Sequence, residues 1–130
     1  MSDAPFGLSK LSQVALSVTD VDRATAFYRD RLGTKHLFSA PPGLAFFDCD
    51  GVRLMLARPE GTEGQQGSVL YFEVADIRAA HGTLVGRGVA FEGEPHVVAR
   101  LAGADLWMAF FRDSEQNLLA ITSQVPRGAP

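Results

Sequence analysis

Few side chains in this 130-residue sequence are equipped for chemistry, and they are scattered along it. His36, His81 and His96 would suffice for a metal triad, yet no pair has the helical i, i+4 or short chelating spacing that builds such a site locally. His81 falls beside the apolar stripe of a helix and reads as a boundary residue. His96, in "EPHVVARLAGADLWMAFF", sets a titratable imidazole near an arginine and a tryptophan, where it could touch a ligand. Glu73 would act as a general base if burial raised its pKa, or pair with Arg53 as a polar anchor. Glu92 and Glu94 flank a glycine and read as a solvated pair. Cys49 is the only cysteine, so neither an internal disulfide nor a thiolate zinc cage can form; a small buried hydrophobe explains it better than a nucleophile. Gln13 opens an otherwise apolar strand and can both donate and accept.

The elements that position these residues occur twice. From Leu11 an alternating apolar run is followed by "TDVDRATAFYRDRLG" and by two short runs around "LAFFDCDGVRLML". From Ser68 the order returns as "SVLYFEVADIRAAHGTLVGRG", "VAFEGEPHVV" and "LWMAFFRDSEQNLLAIT". Strand, helix, strand, strand, strand is thus a duplicated unit, spanning about 8–58 and 68–124 within one domain covering 1–130, with linker 59–67 between. Asp20 and Asp76 fit as N-caps, and Gly33 and Gly88 stand where a left-handed C-terminal residue is wanted. Val21, Ala24, Phe27, Tyr28 and Leu32 share one helical face; Ile77, Ala80, Leu84 and Val85 share the other helix's.

Strand alternation then sorts the rest. One face collects Val14, Leu16, Val18, Val52, Leu54, Leu56, Leu70, Phe72, Val74, Leu119 and Ile121, all apolar and suited to lie under helices. The other carries Gln13, Ala15, Ser17, Arg53, Met55, Ala57, Val69, Tyr71, Glu73, Leu118, Ala120 and Thr122, which is small, mixed and partly polar. Tyr71 and Met55 on that side favour a semi-apolar pocket over an open, solvated face. In the aromatic run, Trp107 and Phe111 point one way, and Met108 and Phe110 the other.

Composition limits the function classes. With 46% hydrophobic and 21% charged residues the chain is an ordinary globular one, and no apolar run is long enough to span a bilayer. A net charge of -3 with dispersed Lys and Arg gives no broad attraction for nucleic acid or anionic lipid. "MSDAPFG" lacks the basic flank and apolar stretch of a secretory signal, so a cytoplasmic location is expected.

Two tandem βαβββ units with "QVALSVTDVDRATAFYRDRLG" at the head and "FFRDSEQNLLAI" at the tail resemble the vicinal oxygen chelate superfamily of glyoxalase I, bleomycin-resistance proteins and extradiol dioxygenases. The resemblance covers Leu11 to Ser123. It implies an α+β fold, a curled eight-stranded cup with helices on its outer face, often completed by dimerisation, and places Phe110 in the cup wall. It also implies a divalent metal at positions that here are Gln13, Met55, Val69 and Ala120. Val69 and Ala120 have no donor atom and the Met55 thioether is soft, so no metal and no cofactor are expected there. The tail reads "DSEQN" where the family has an Asp-Pro-Asp-Gly-Asn turn, a change expected to bear on stability more than on function.

Besides an interaction module whose cup is filled by side chains, two functions are compatible with this pattern. One is a homodimeric, metal-independent protein of the bleomycin-resistance type, binding a small, planar or hydrophobic molecule through Gln13, Arg53, Met55, Tyr71, Glu73, His96, Met108 and Phe110. The other is an enzyme of the superfamily, a lyase, epimerase or dioxygenase. It would be metal-free with Glu73 or His96 moving a proton, or would use a relocated histidine metal site.

Overall fold

A computed structural model describes residues 6–40, 43–58 and 68–127. The linker expected at 59–67 lies outside the described residues. The first unit runs through strand β1 (Gln13–Ser17), helix α1 (Val21–Ala26), a π-helical turn (Phe27–Arg31), and strands β2 (Lys35–Ala40), β3 (Leu44–Cys49) and β4 (Val52–Ala57). The second runs through β5 (Leu70–Glu73), α2 (Ile77–Gly86), β6 (His96–Leu101), β7 (Ala104–Arg112) and β8 (Leu118–Pro126).

The eight strands form two sheets of four, ordered β1-β4-β3-β2 and β5-β8-β7-β6. In each sheet the first strand pairs parallel with the last, and the remaining pairs are antiparallel. Identical order and orientation in both halves is the topological form of the sequence repeat.

Both helices start where the sequence predicts. Asp20 and Asp76 have extended backbones and accept from the amides of Arg23 and Ala79 at 3.0 and 3.1 Å. These bonds satisfy donors that a helix N-terminus would otherwise leave orphaned. Gly33 and Gly88, at φ 74° and 88°, take the left-handed turn after each helix.

One feature of α1 departs from a regular helix. The Leu32 amide donates to the Phe27 carbonyl at 3.1 Å, five residues back. A π turn rotates less per residue than an α turn, so the adjacent rings of Phe27 and Tyr28 can both enter the core. Val85, expected on the buried face of α2, is exposed instead. It lies in the last turn, a step of about 100° round the helix from Leu84, and so projects off the sheet.

The apolar register lies under the helices as the alternation requires. Val18, Tyr28, Phe47, Leu54, Leu56, Phe111 and Leu119 are fully buried, and residues of both halves join one cluster. The halves meet through α1 and its π turn on one side and the β7–β8 turn and the turn after α2 on the other. Tyr28 donates to Asp113, Asn117 Nδ2 donates to the Ser17 carbonyl, and Arg31 donates to the Gly88 carbonyl.

Candidate functional site

The helix-free faces of the two sheets carry the predicted site residues. On the first sheet, cross-strand pairing lines up Gln13 with Arg53, Ala15 with Met55, Met55 with Phe46, and Phe46 with Phe38. Paired residues share a side, so these form one surface. Gln13 Nε2 approaches Met55 Sδ at 3.9 Å, a weak contact that leaves the amide oxygen free to accept. Phe38 and Phe46 stack with centroids 4.7 Å apart, and the Arg53 guanidinium lies 5.8 and 5.5 Å from their ring centres. Arg53 is thereby held over π faces as a cation.

On the second sheet, Tyr71, Ala120 and Phe110 align across β5, β8 and β7. Ala120 is fully buried because the rings on either side close over its small side chain. Tyr71 and Phe110 meet edge to face with centroids 6.2 Å apart, while Tyr71 stays 51% exposed. One row further on, Glu73, Thr122, Met108 and His96 align. Glu73 and His96 are exposed, and His96 is oriented by a 3.0 Å contact between Nδ1 and the Glu94 carbonyl oxygen.

The predicted set therefore divides into two groups: Gln13, Arg53 and Met55 on one sheet; Tyr71, Glu73, His96, Met108 and Phe110 on the other. Sequence reasoning missed Phe38 and Phe46, the aromatic floor under Arg53. The alternating "LAFF" beside "VRLML" held the signal for Phe46, since Met55 and Phe46 are register partners.

The metal positions do not fit a divalent ion. Of Gln13, Met55, Val69 and Ala120, only the Gln13 amide is a hard donor, and hard or borderline cations need several. The histidines do not supply a substitute. His36 packs 5.1 Å from the Phe47 ring on the helix side of its sheet, His81 packs 4.4 Å from Phe91, and His96 stands on the opposite face of the second sheet. Among the described residues no group of three His, Cys, Asp or Glu could hold a metal. Cys49 is half-buried, and burial followed by the charge of Asp48 pushes its thiol pKa up, away from nucleophilic reactivity.

A second polar cluster lies at the junction of the halves rather than on the open faces. The Glu115 carboxylate accepts from the amides of Thr19 and Asp20 at 3.0 and 2.9 Å and from Arg23 Nε at 2.7 Å. Arg23 above all, with the Asp20 amide and Ser114, holds its pKa down at about 2 against the opposing effect of burial. It is a structural carboxylate, committed on every side.

With this geometry the relationships are clear. The sequence profile of the Glyoxalase/Bleomycin resistance protein/Dioxygenase superfamily matches residues 10–121, and the chain belongs to that superfamily. No curated protein sequence matches the chain. Among solved structures it is similar to lactoylglutathione lyase from Agrobacterium tumefaciens at 22% identity and TM-score 0.71, covering 89% of this chain and 94% of that one. An integron cassette protein from the mobile metagenome of V. cholerae aligns at 23% identity and TM-score 0.74, covering 92% and 98%. The protein UcmS2 aligns at 27% identity and TM-score 0.72, covering 89% and 98%. No helix among the described residues is long and apolar enough to cross a membrane.

Proposed function

We propose that the chain is a metal-independent binding protein of the bleomycin-resistance type that takes up a small, planar or hydrophobic molecule. The observation that carries this reading is the edge-to-face pair Tyr71 and Phe110, with Tyr71 left half open to water on a sheet face that no helix covers. A flat ligand gains by stacking on such rings and removing them from water. Gln13 and Arg53 offer donors that would fix the orientation of a carbonyl or an anionic group on the ligand.

The two open faces support a homodimer. Each sheet presents half of a cup lining, with Phe38 45% exposed on the first and Tyr71 51% exposed on the second. A second copy, related by a two-fold axis, would set the first sheet of one chain against the second sheet of the other and enclose two equivalent cups.

The test combines elemental mass spectrometry with ligand screening. Protein purified without chelator and re-exposed to manganese, iron, cobalt, nickel or zinc is expected to retain none in stoichiometric amount. A panel of planar aromatic compounds is then screened by thermal shift, and hits are recovered and analysed. Saturable binding with recovery of unaltered compound is the expected result. Stoichiometric metal, or conversion of the compound with a pH profile that follows Glu73 or His96, would move the protein among the enzymes of the superfamily.

A further inference from the structure

We propose that Ser39 and His36 form a nucleophile and base dyad that hydrolyses small, uncharged esters in a polar cavity on the helix side of the first sheet. The activity lies on the opposite side of that sheet from the aromatic floor and does not depend on the binding function proposed above.

A bulge makes the dyad. In a regular strand residues three apart point to opposite faces, so His36 and Ser39 would not meet. β2 shifts register between His36 and Phe38, with the result that His36 pairs with Phe47 and Ser39 with Ala45. Phe47 and Ala45 are both fully buried on the helix side, and their partners point the same way. His36 Nε2 then lies 3.0 Å from Ser39 Oγ, the hydrogen-bond reach that a base needs to activate a hydroxyl. With the ring proton on Nδ1, Nε2 accepts from that hydroxyl. The imidazole is steadied by Phe47, whose ring centroid is 5.1 Å away.

The fold does not require this pair. The second unit repeats the bulge in β6, between Val97 and Ala99, and fills the matching places with Val97 and Arg100. Arg100 there reaches Asp105 at 3.8 Å. The framework is duplicated, but the imidazole and the hydroxyl belong to the first unit alone.

Ser39 is exposed and opens on a cavity of about 670 Å³, a size that takes a small substrate. Val21 and Leu44 give it an apolar wall for an acyl group. Arg58 stands at the same cavity without a carboxylate partner among the described residues. Its N–H groups can donate to the oxyanion that forms when Ser39 attacks a carbonyl. Arg23 is committed to Glu115, while the carboxylates of Asp20 and Asp22 disfavour an anionic substrate. An uncharged ester fits this balance.

Water is the only co-reactant. Ser39 Oγ bonds to the ester carbonyl carbon, and the hydroxyl proton passes to His36 Nε2. The bond from that carbon to the alcohol oxygen breaks, and the alcohol leaves with the proton. Water then adds to the acyl carbon and gives a proton to His36. The bond to Ser39 Oγ breaks, the carboxylic acid departs, and the proton returns to Ser39.

The full chain is tested with para-nitrophenyl acetate and with a fluorophosphonate probe. Peptide mapping is expected to find the acetyl group and the probe on Ser39, and neither in Ser39→Ala. Ser39 is solvent-exposed, so this variant keeps the fold. His36→Gln and Arg58→Met are each expected to slow hydrolysis about 100-fold. Equal hydrolysis by the wild type and Ser39→Ala, or label only on other residues, would overturn the proposal. Undiminished labelling of Ser39 in His36→Gln would overturn the dyad.

Discussion

The Tyr28 hydroxyl donates to Asp113 Oδ2 at 2.7 Å, and this bond joins the π turn of the first unit to the β7–β8 turn of the second with both side chains shut off from water. Asp113 also accepts from the amides of Glu115 and Asn117, each at 2.8 Å, and from Asn117 Nδ2. Burial first, then the Asp113 charge, pushes the Tyr28 pKa far above the ordinary phenol value, so the hydroxyl keeps the proton that it donates. The junction between duplicated units is thus a buried polar network at the centre of an apolar cluster.

Removing the donor alone should be costly. Tyr28→Phe leaves the ring packing in place but withdraws one partner from a buried carboxylate, which costs about 1.5–3 kcal/mol for a bond to a charged group. Urea unfolding is expected to show the midpoint falling by that free energy divided by an unchanged slope. An unchanged midpoint would mean that water replaces the hydroxyl and that the junction is less closed than the burial of Asp113 implies.

Glu115 makes the same junction sensitive to acid. Its carboxyl titrates at about 2 in the folded chain against an ordinary 4.5. For an acid with a depressed folded pKa, the stabilising contribution is complete above about pH 4.5 and is lost as pH falls toward about 2. The Glu115 side chain is 1% exposed but Arg23 is 55% exposed, so solvent screening reduces the contribution to about 1–2 kcal/mol. Glu115→Gln is expected to be less stable at neutral pH and to have a flatter stability profile across that acid window. Parallel profiles for the two proteins would show that Glu115 is not the titrating group.

What could be read from the sequence was local. Asp20 and Asp76 cap their helices because a cap needs only three neighbouring residues, and the apolar and mixed strand faces follow from alternation alone. The Phe38 part of the aromatic floor under Arg53 was not legible, because a bulge intervenes in β2. His36 pairs with Phe47 and Phe38 with Phe46, so two residues that alternation assigns to one side stand on opposite sides. The long-range partners of the "DSEQN" turn were not legible either. Tyr28, Arg23 and Ser17 lie 85 to 100 residues away in sequence and leave no local pattern.

That turn stores strain that a glycine should release. Gln116 has φ 70°, a left-handed conformation that a residue with a Cβ adopts at a cost of about 1–2 kcal/mol. Glycine gives back part of that gain through the greater freedom of the unfolded chain. Gln116→Gly is expected to stabilise by about 0.5–1 kcal/mol and to raise Tm by a few degrees, about 2–5 °C for a chain of this size. The Gln116 amide donates to the Asp113 carbonyl and the Gln116 carbonyl accepts from Arg112 Nη1, and neither bond needs the Gln116 side chain. A lower Tm would place the Gln116 side chain in an interaction that compensates the strain.

The binding face can be separated from the framework because its rings are not part of the core. Tyr71 lies half in water, so Tyr71→Ala removes little buried area and is expected to shift stability by less than about 1 kcal/mol. The same substitution deletes the edge-to-face partner of Phe110 and one wall of the proposed cup. For a planar aromatic hit from the thermal-shift screen, the Kd measured by calorimetry is expected to rise about 10–100-fold. Arg53→Met, which keeps the packing over Phe38 and Phe46 but removes the charge, should weaken anionic members of a ligand series and leave neutral ones nearly unchanged. A Tyr71→Ala protein that binds as well as the wild type would move the ligand off this face. Loss of affinity for neutral and anionic compounds alike in Arg53→Met would assign Arg53 to the shape of the floor rather than to recognition of charge.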